Sequence, residues 1–334
     1  MNPKYVIAGR LNREYILPAA GKPVLDAPGG SLAYAGGGLR VWDEDIGLLG
    51  RVGEDYPQHW LHDFKKRGFD VRGVHILPES VDLREFIGYS EAFEASHDNP
   101  VAQFARREIP FPKSLLGYQA PDHAQEDPAR PHPTAPGVGD IPKEYLNASA
   151  VHICPLDLIT QGQLLAAFKA GKASTLTLDP WPGYMLPKLL KDVGNLLSGL
   201  TAFIPSREEL HALFWGQTND LWEMAEALGQ YNPEFIVIKS GKRGQLLYDV
   251  EGKKRWEIPA YDSRMADPTG VGDAFCGGFL GGFRKTYDPL EAVLHGNVAA
   301  SLKAEGSGAF YPLEVLPGLA EARLSVLRDA VRKI

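Results

Sequence analysis

The chain has 334 residues, 44% of them apolar and 23% charged, which is the make-up of a globular protein in water, with length enough for one large α/β domain or two smaller ones. A net charge of −7 without any basic stripe excludes the electrostatic footprint of a nucleic-acid binder, and no apolar run is long enough to span a membrane. Cys154 and Cys276 lie far apart in apolar settings, so neither a disulfide framework nor a metal site is expected, and the first residues lead into a strand without a signal-peptide pattern; both features point to the cytoplasm.

In chain order, residues 5–9 form a short apolar run closed by glycine, a buried first strand. Residues 10–17 partly alternate, as in a sheet with one covered face. Asn12 and Glu14 are two apart, so in a strand they share a face and could both hydrogen-bond one polyol, or both be solvated. Pro28-Gly29-Gly30-Ser31 then opens a helix over 32–42 that contains Gly36-Gly37-Gly38. Three glycines inside a helix cost stability, so either a ligand or another backbone approaches closely there, or the helix is broken. A second buried strand is expected at 46–50, a turn at 51–55 and a helix at 56–67.

Residues 81–89 alternate loosely as a strand, and Val101-Ala102-Gln103-Phe104 reads as another. With the segment around Asn12 these make a small β lid, from inserts at about 10–28 and 74–118, on a single domain spanning 1–334. Residues 119–142 hold six prolines and two histidines and read as a mobile loop, with His123 and His132 solvated. From 150 onward strands and helices alternate: strands at 150–153, 174–178, 201–204 and 235–238, helices at 161–170, 186–197, 207–214 and 220–228, then a hairpin of 245–248 with 254–258. This alternation predicts a mostly parallel sheet with helices on both faces, three layers in all. Ligands in such sheets bind beyond the carboxyl ends of the strands, where Asp179, Ser206, Gly241 and Asp267 all fall. Asp288-Pro289-Leu290-Glu291 carries the cap, first-turn proline and capping-box glutamate of a helix running to about 304.

The chain is organised around Asp267-Pro268-Thr269-Gly270-Val271-Gly272-Asp273-Ala274-Phe275-Cys276-Gly277-Gly278-Phe279-Leu280-Gly281-Gly282-Phe283. The residue before a proline is held extended, so this stretch starts as a loop before becoming an apolar helix of small residues. Gly270 and Gly272 leave the backbone bare at the helix start, where unpaired amides and the macrodipole favour phosphate. Asp273 in the first turn would lie beside that phosphate, where transfer from a nucleotide to a hydroxyl needs a base. The plainer alternative is a tight turn with an ordinary capping carboxylate, and glycines at 277, 278, 281 and 282 that only press the helix onto a sheet.

Asp-Pro-Thr-Gly-Val-Gly-Asp followed by Ala-Phe-x-Gly-Gly-Phe resembles the second signature of the ribokinase-like (PfkB) carbohydrate kinases, whose pattern is Asp-Thr-x-Gly-Ala-Gly-Asp. Gly29-Gly30 with Gly47-x-x-Gly50-Arg51-Val52-Gly53-x-Asp55 resembles their first signature, and Ile238-Lys239-Ser240-Gly241-x-x-Gly244 their nucleotide loop, in the family's order. The resemblance implies a ribokinase-like three-layer α/β/α fold with a β lid, and an ATP-dependent transfer to a hydroxyl of a small sugar. Asp273 would be the base, and Gly270, Val271 and Gly272 the anion hole. Lys239, Gly241, Gly244, Asn297, Ser206 and Glu209 would meet ATP, with Glu209 holding Mg²⁺ through water. Asn12, Glu14, Gly29 and Gly30 would meet the substrate alongside Asp273. Asp267 and Thr269, with carbonyls at 304–307, would hold a monovalent cation, K⁺. The family's dimerisation through an uncovered lid face is a further expectation.

The chain departs from the pattern at four places. Glu14 replaces the usual Asp, and Tyr34 an Asn. Ser206-x-x-Glu209 replaces Asn-x-x-Glu, and is either the Mg²⁺ and phosphate motif or a plain capping box. Lys239 replaces a Thr and either reaches a nucleotide phosphate or points to solvent. Two other functions stay open: a nucleoside kinase, for which Tyr15, Phe86, Tyr89 and Phe104 could stack a base, and a ligand sensor that has lost the chemistry. Arg84, Arg106 and Arg107 near the lid raise a phosphorylated sugar as an acceptor, or are exposed without a ligand.

Overall fold

The computed structural model describes residues 2–120, 127 and 130–333. The first elements are β1 (Tyr5–Ala8), β2 (Asn12–Leu17), β3 (Val24–Gly29), α1 (Ser31–Arg40), β4 (Ile46–Val52), α2 (Gln58–Lys66) and β5 (Phe69–Ile76). Next come β6 (Arg84–Tyr89), β7 (Ala95–Ser96), α3 (Pro100–Arg106), β8 (Ala150–Ile153), α4 (Leu158–Ala170), β9 (Thr175–Leu178), α5 (Leu190–Leu197) and β10 (Ala202–Phe203). The chain ends with α6 (Arg207–Leu213), α7 (Leu221–Gly229), β11 (Phe235–Lys239), β12 (Gln245–Asp249), β13 (Lys254–Ile258), α8 (Val271–Thr286), α9 (Pro289–Ala304), α10 (Leu319–Ala330) and β14 (Arg332–Lys333).

Among the described residues the larger sheet has the order β14-β13-β12-β11-β10-β9-β8-β1-β4-β5. It is parallel from β11 to β5 and antiparallel from β11 through β14. Its inner strands are continuous apolar runs because both faces are covered. In β1, Val6 and Ala8 join a core with α4, α5, α6 and α7, while Tyr5 and Ile7 join one with α1 and α2. Phe203 and Ile236 face the first helix layer, and Ala202 and Val237 face α8, α9 and α10. The three-layer expectation holds.

Helix α1 runs unbroken through its glycines because another backbone lies against it. A Cβ at Gly38 would stand 2.1 Å from Ala274 O, and one at Gly277 would stand 1.9 Å from Ala35 O. Gly278 and Gly282 clear α9 in the same way, against His295. The glycines of α8 therefore seat it between two helices, not on a sheet.

The smaller sheet has the order β3-β2-β6-β7, with β2 and β6 parallel. Residues 101–104, expected as a strand, are the middle of α3. The Asn99 side chain accepts from Ala102 N and Pro100 takes the first turn, a start that local pattern favours over an extended run. Helix α3 lays Phe104 on Tyr15 and Phe86, and Ile109, Phe111, Leu115 and Tyr118 complete this cover. The lid's outer face, expected to be open for a partner, is covered by the chain itself. Of the proline-rich loop, His123 lies outside the described residues. His132, expected to be solvated, is half-buried, pairing its ring with Thr134 Oγ1 at 2.8 Å and donating its amide to Asp157 Oδ2 at 3.3 Å.

Candidate active site

The inner face of the lid and the start of α8 enclose a cavity of about 290 Å³, lined by Asn12, Glu14, Gly30, Ser31, Tyr34, Glu85, Ile87, Tyr89, Thr269, Gly270 and Asp273, among others. Strand register builds its upper wall. Glu14 pairs with Glu85 across β2 and β6, so the two carboxylates stand side by side, and the next residues on that face are Ile16 and Ile87. Asn12 shares the face, as its spacing implied, and donates to Glu85.

Glu14 is 2% exposed. Its Oε1 accepts from the Gly30 amide at 2.8 Å and its Oε2 from the Tyr34 hydroxyl at 2.5 Å. The departures at 14 and 34 are thus one feature, a longer acid clamped by a phenol. Gly29 does not line the cavity; it makes room behind Glu14, since a Cβ there would sit 1.9 Å from the carboxyl carbon. Burial, and then the neighbouring Glu85, push the Glu14 carboxyl up to about 8 against the pull of its two donors.

The lower wall is the start of α8. Gly270 caps it at φ 67 with no side-chain cap, and its bare Cα packs on the Tyr34 ring, 2.0 Å from where a Cβ would be. Gly272 is exposed, and only the Lys239 ammonium stands above it, 3.8 Å from a Cβ position. Asp273 follows. Desolvation in the cleft raises its carboxyl, Lys239 pulls it back, and Glu85 and Glu209 add to the rise, which leaves it at about 6.

Lys239 does not point to solvent. Its Nζ lies 2.5 Å from Asp179 Oδ2 and 3.8 Å from Cys276 Sγ, at the ends of β9 and β11 and under the first turn of α8. Burial opposes its charge, but Asp179 outweighs that and holds the lysine protonated. Asp179 Oδ1 is buried without a hydrogen-bond partner among the described residues. Ser206 and Glu209 do form a reciprocal capping box, Glu209 N to Ser206 Oγ at 3.1 Å and Ser206 N to Glu209 Oε2 at 2.6 Å, which spends one oxygen of Glu209 on starting α6. Burial, then Asp179, raise the Glu209 carboxyl.

The remaining expected residues divide. Gly241 (φ 56) and Gly244 (φ 87) form a tight loop after β11, and a Cβ at Gly244 would strike Ile258 O at 1.9 Å. Asn297, expected near adenine, is buried with its polar atoms engaged. Nδ2 donates to Gln245 Oε1 and Pro259 O, and Oδ1 accepts from Tyr261 N, so it pins the loop after β13 onto α9. Tyr15, Phe86 and Phe104 lie in the outer core of the lid, and of the four aromatic candidates only Tyr89 reaches the cavity, bridging to Thr269 Oγ1 at 3.0 Å. Arg84 is engaged with Asp82 and two carbonyls, and Arg107 with the carbonyls of Pro18 and Tyr89. None of Arg84, Arg106 and Arg107 lines the cavity. Sequence reasoning missed Glu85, although it sits on the same strand parity as Ile87, and it missed Lys303.

Lys303 fills the place where the resemblance puts a monovalent cation. It is fully buried, and its Nζ donates to Gly306 O at 2.8 Å and Asp267 O at 3.3 Å and stands 3.7 Å from Asp267 Oδ2. Ala304 O, another expected ligand, is taken by the amides of Ala266 and Asp267. The cradle does not fit K⁺ while the ammonium is in it.

Residues 143–316 match the model of the pfkB family carbohydrate kinases. The cytidine kinase of Thermococcus kodakarensis is 28% identical over 286 residues, 86% of this chain and 90% of that protein. Two solved structures share the fold. The nucleoside kinase of Burkholderia thailandensis in complex with inosine has a TM-score of 0.69 at 17% identity, covering 97% of this chain and 98% of that one. The fructokinase of Vibrio cholerae O395 in fructose, ADP and calcium ion bound form has a TM-score of 0.69 at 18% identity, with the same coverage. A family model that spans half the chain, on a fold the two structures share from end to end, makes the protein a kinase with the ribokinase-like α/β fold and a member of the PfkB carbohydrate kinase family.

Proposed function

We propose that the protein moves the γ-phosphoryl group of ATP to a sugar hydroxyl of a neutral nucleoside. The observation that carries this reading is the charge of the acceptor cavity. Glu14, Glu85 and Asp273 line it, and among the described residues no lysine or arginine does. A phosphorylated or carboxylated acceptor would stand against the Glu85 and Asp273 carboxyls with no cationic side chain in the described wall to pair with it. A neutral polyol offers the hydroxyl donors that such a wall accepts. The similarity to a cytidine kinase over 90% of that protein's length favours a nucleoside.

In this reading Asp273 takes the proton of the attacking hydroxyl while the amides at Gly270, Val271 and Gly272 face the charge on the transferred group. Lys239, held protonated by Asp179 and standing over Gly272, is placed to face the same charge. Loop 240–244 and the groove beside it, about 870 Å³ and lined by Ser240, Arg243, Gln245 and Pro259, are the candidate nucleotide seat. Mg²⁺ would enter with the ATP phosphates and offset their charge, with Glu209 and the unpartnered Asp179 Oδ1 as the acceptors that would hold it through water. Positioning does the rest of the work, since phosphoryl transfer asks little covalent chemistry of the protein.

A free sugar is the second reading. Three of the four aromatics that could have stacked a base face away from the cavity, which fits a smaller acceptor. A coupled ADP-release assay with ATP and Mg²⁺ separates the readings, run against cytidine and other nucleosides, free sugars, polyols and sugar phosphates. Turnover with nucleosides is expected and none with sugar phosphates; a sugar phosphate as best acceptor would sink the charge argument. Asp273→Asn should lower kcat by about 10²–10⁴ with the acceptor found. Silence across the whole panel, with acceptors still raising the melting temperature, would leave the sensor.

A further inference from the structure

We infer that Lys303 is a built-in monovalent cation: its ammonium does the work of a bound K⁺ under the anion-hole loop, so the kinase needs no K⁺. Lys303 is the last residue but one of α9, and its side chain is 0% exposed. Its Nζ ties Gly306 O to Asp267 O, joining the loop after α9 to the loop that leads into α8. Asp267 is itself fully buried. Its Oδ1 is spent on the Thr269 amide at 2.9 Å, and its Oδ2 has no hydrogen-bond partner among the described residues, with the ammonium at 3.7 Å as its counter-charge. The Tyr34 ring closes the site with its centroid 5.4 Å from Nζ.

The carbonyls that would coordinate an ion are therefore oriented by a tethered ammonium that donates to both Gly306 O and Asp267 O. A buried cation is tolerated only when paired and hydrogen-bonded, and this one has two carbonyls, a carboxylate and an aromatic face. The consequence lies three residues on. Asp267, Pro268 and Thr269 set the backbone of Gly270, the left-handed residue that opens α8 and its amides. Burial lowers the pKa of Lys303, while Asp267 and Glu14 oppose that fall, and the ammonium held between them fixes the loop whatever salt surrounds the protein. Lys303 is thus a positioning residue. It acts on the loop that faces the transferred group without touching that group itself.

The inference rests on the kinase reading, and its test has one arm that does not. Melting temperature of the full chain is measured in KCl, NH₄Cl and choline chloride at one ionic strength, without substrates, for wild type and Lys303→Ala. Wild type should melt alike in all three. The variant should be stabilised by KCl or NH₄Cl over choline chloride, because an ion can refill the emptied cradle. With the acceptor in hand, wild-type kcat in choline should be within about twofold of its value in KCl. The variant should lose at least about tenfold in choline and recover with K⁺ or NH₄⁺. Saturable activation or stabilisation of wild type by K⁺ would overturn the inference, and that result stands even if the variant fails to fold. A folded variant that is as active as wild type in choline would overturn it too, as would one left inactive whatever the cation.

Discussion

Replacing Glu14 by Gln should make the protein more stable above pH 6, and the size of the gain follows from the site. Glu14 is 2% exposed, beside Glu85, with its carboxyl pushed up to about 8 from an ordinary 4.5. An acid whose folded value is raised holds its proton more tightly when folded. Stability from that group is complete below pH 4.5 and drains away as the pH climbs to about 8. At 1.36 kcal/mol per pH unit the full loss is about 5 kcal/mol, and about 3 of it has gone by pH 7. Gln is neutral in both states and escapes this loss. It keeps an oxygen for the Gly30 amide and turns an NH₂ toward Tyr34, where the exchanged hydrogen bond costs about 1 kcal/mol. The net gain should be about 2 kcal/mol at pH 7 and close to zero or negative at pH 5. Urea unfolding of both proteins between pH 5 and 8.5 reads the difference, in which other titrating groups largely cancel. A difference that stays flat across this range would mean that Glu14 is already ionised in the folded protein, and the account of a neutral, clamped acid would fail. If Glu14 meets the acceptor, the more stable variant should be the poorer enzyme.

Two more outcomes follow from the same geometry. Asp273 must be a carboxylate to accept a proton, so kcat/KM should be low in acid and rise through about pH 6 to a plateau; a profile flat from pH 5 to 8 would remove it as the base. Gly277→Ala puts a methyl 1.9 Å from Ala35 O, a backbone atom that cannot swing aside. The crossing of α1 and α8 should part at a cost of about 1–3 kcal/mol, seen in the urea midpoint, whereas a change below about 0.5 would mean that the two helices do not meet there.

Much of this was legible in the sequence because it depends on short-range rules. The apolar runs gave the parallel strands, the Asp-Pro before Gly270 gave the entry to α8, and the order of the glycine motifs gave the family. What escaped needed distance. Val101-Ala102-Gln103-Phe104 read as a strand because its pattern is too short to separate periods of 2 and 3.6, and the Asn99-Pro100 start was the overlooked cue. Glu14 and Tyr34 looked like two separate departures, and only the fold brings their side chains together. Asn297 and Lys303 occupy α9 one turn and a half apart, yet each bolts down a different loop, one after β13 and one before α8. No local pattern marks a buried lysine as a counter-charge.

The charges also order the reaction. Lys239 and Lys303 both stand near the start of α8, one paired to Asp179 and the other to Asp267. The ionisable side chains that the lid strands β2 and β6 bring to the cavity include Glu14 and Glu85, and among the described residues no lysine or arginine lines it. On the proposed reading, an anionic nucleotide would be drawn to the amides and Lys239, and a neutral acceptor would sit under the lid and spend its hydroxyls on carboxyl groups. Asp273 lies where the two halves meet, and burial, countered by the pull of Lys239 and helped by the push of Glu85 and Glu209, holds its carboxyl at about 6, low enough to be ionised at neutral pH and high enough to take a proton. If the proposed roles hold, donor and acceptor need no separate recognition of each other's place: the field across a single cleft would assign each its side, with Asp273 as the base on the boundary.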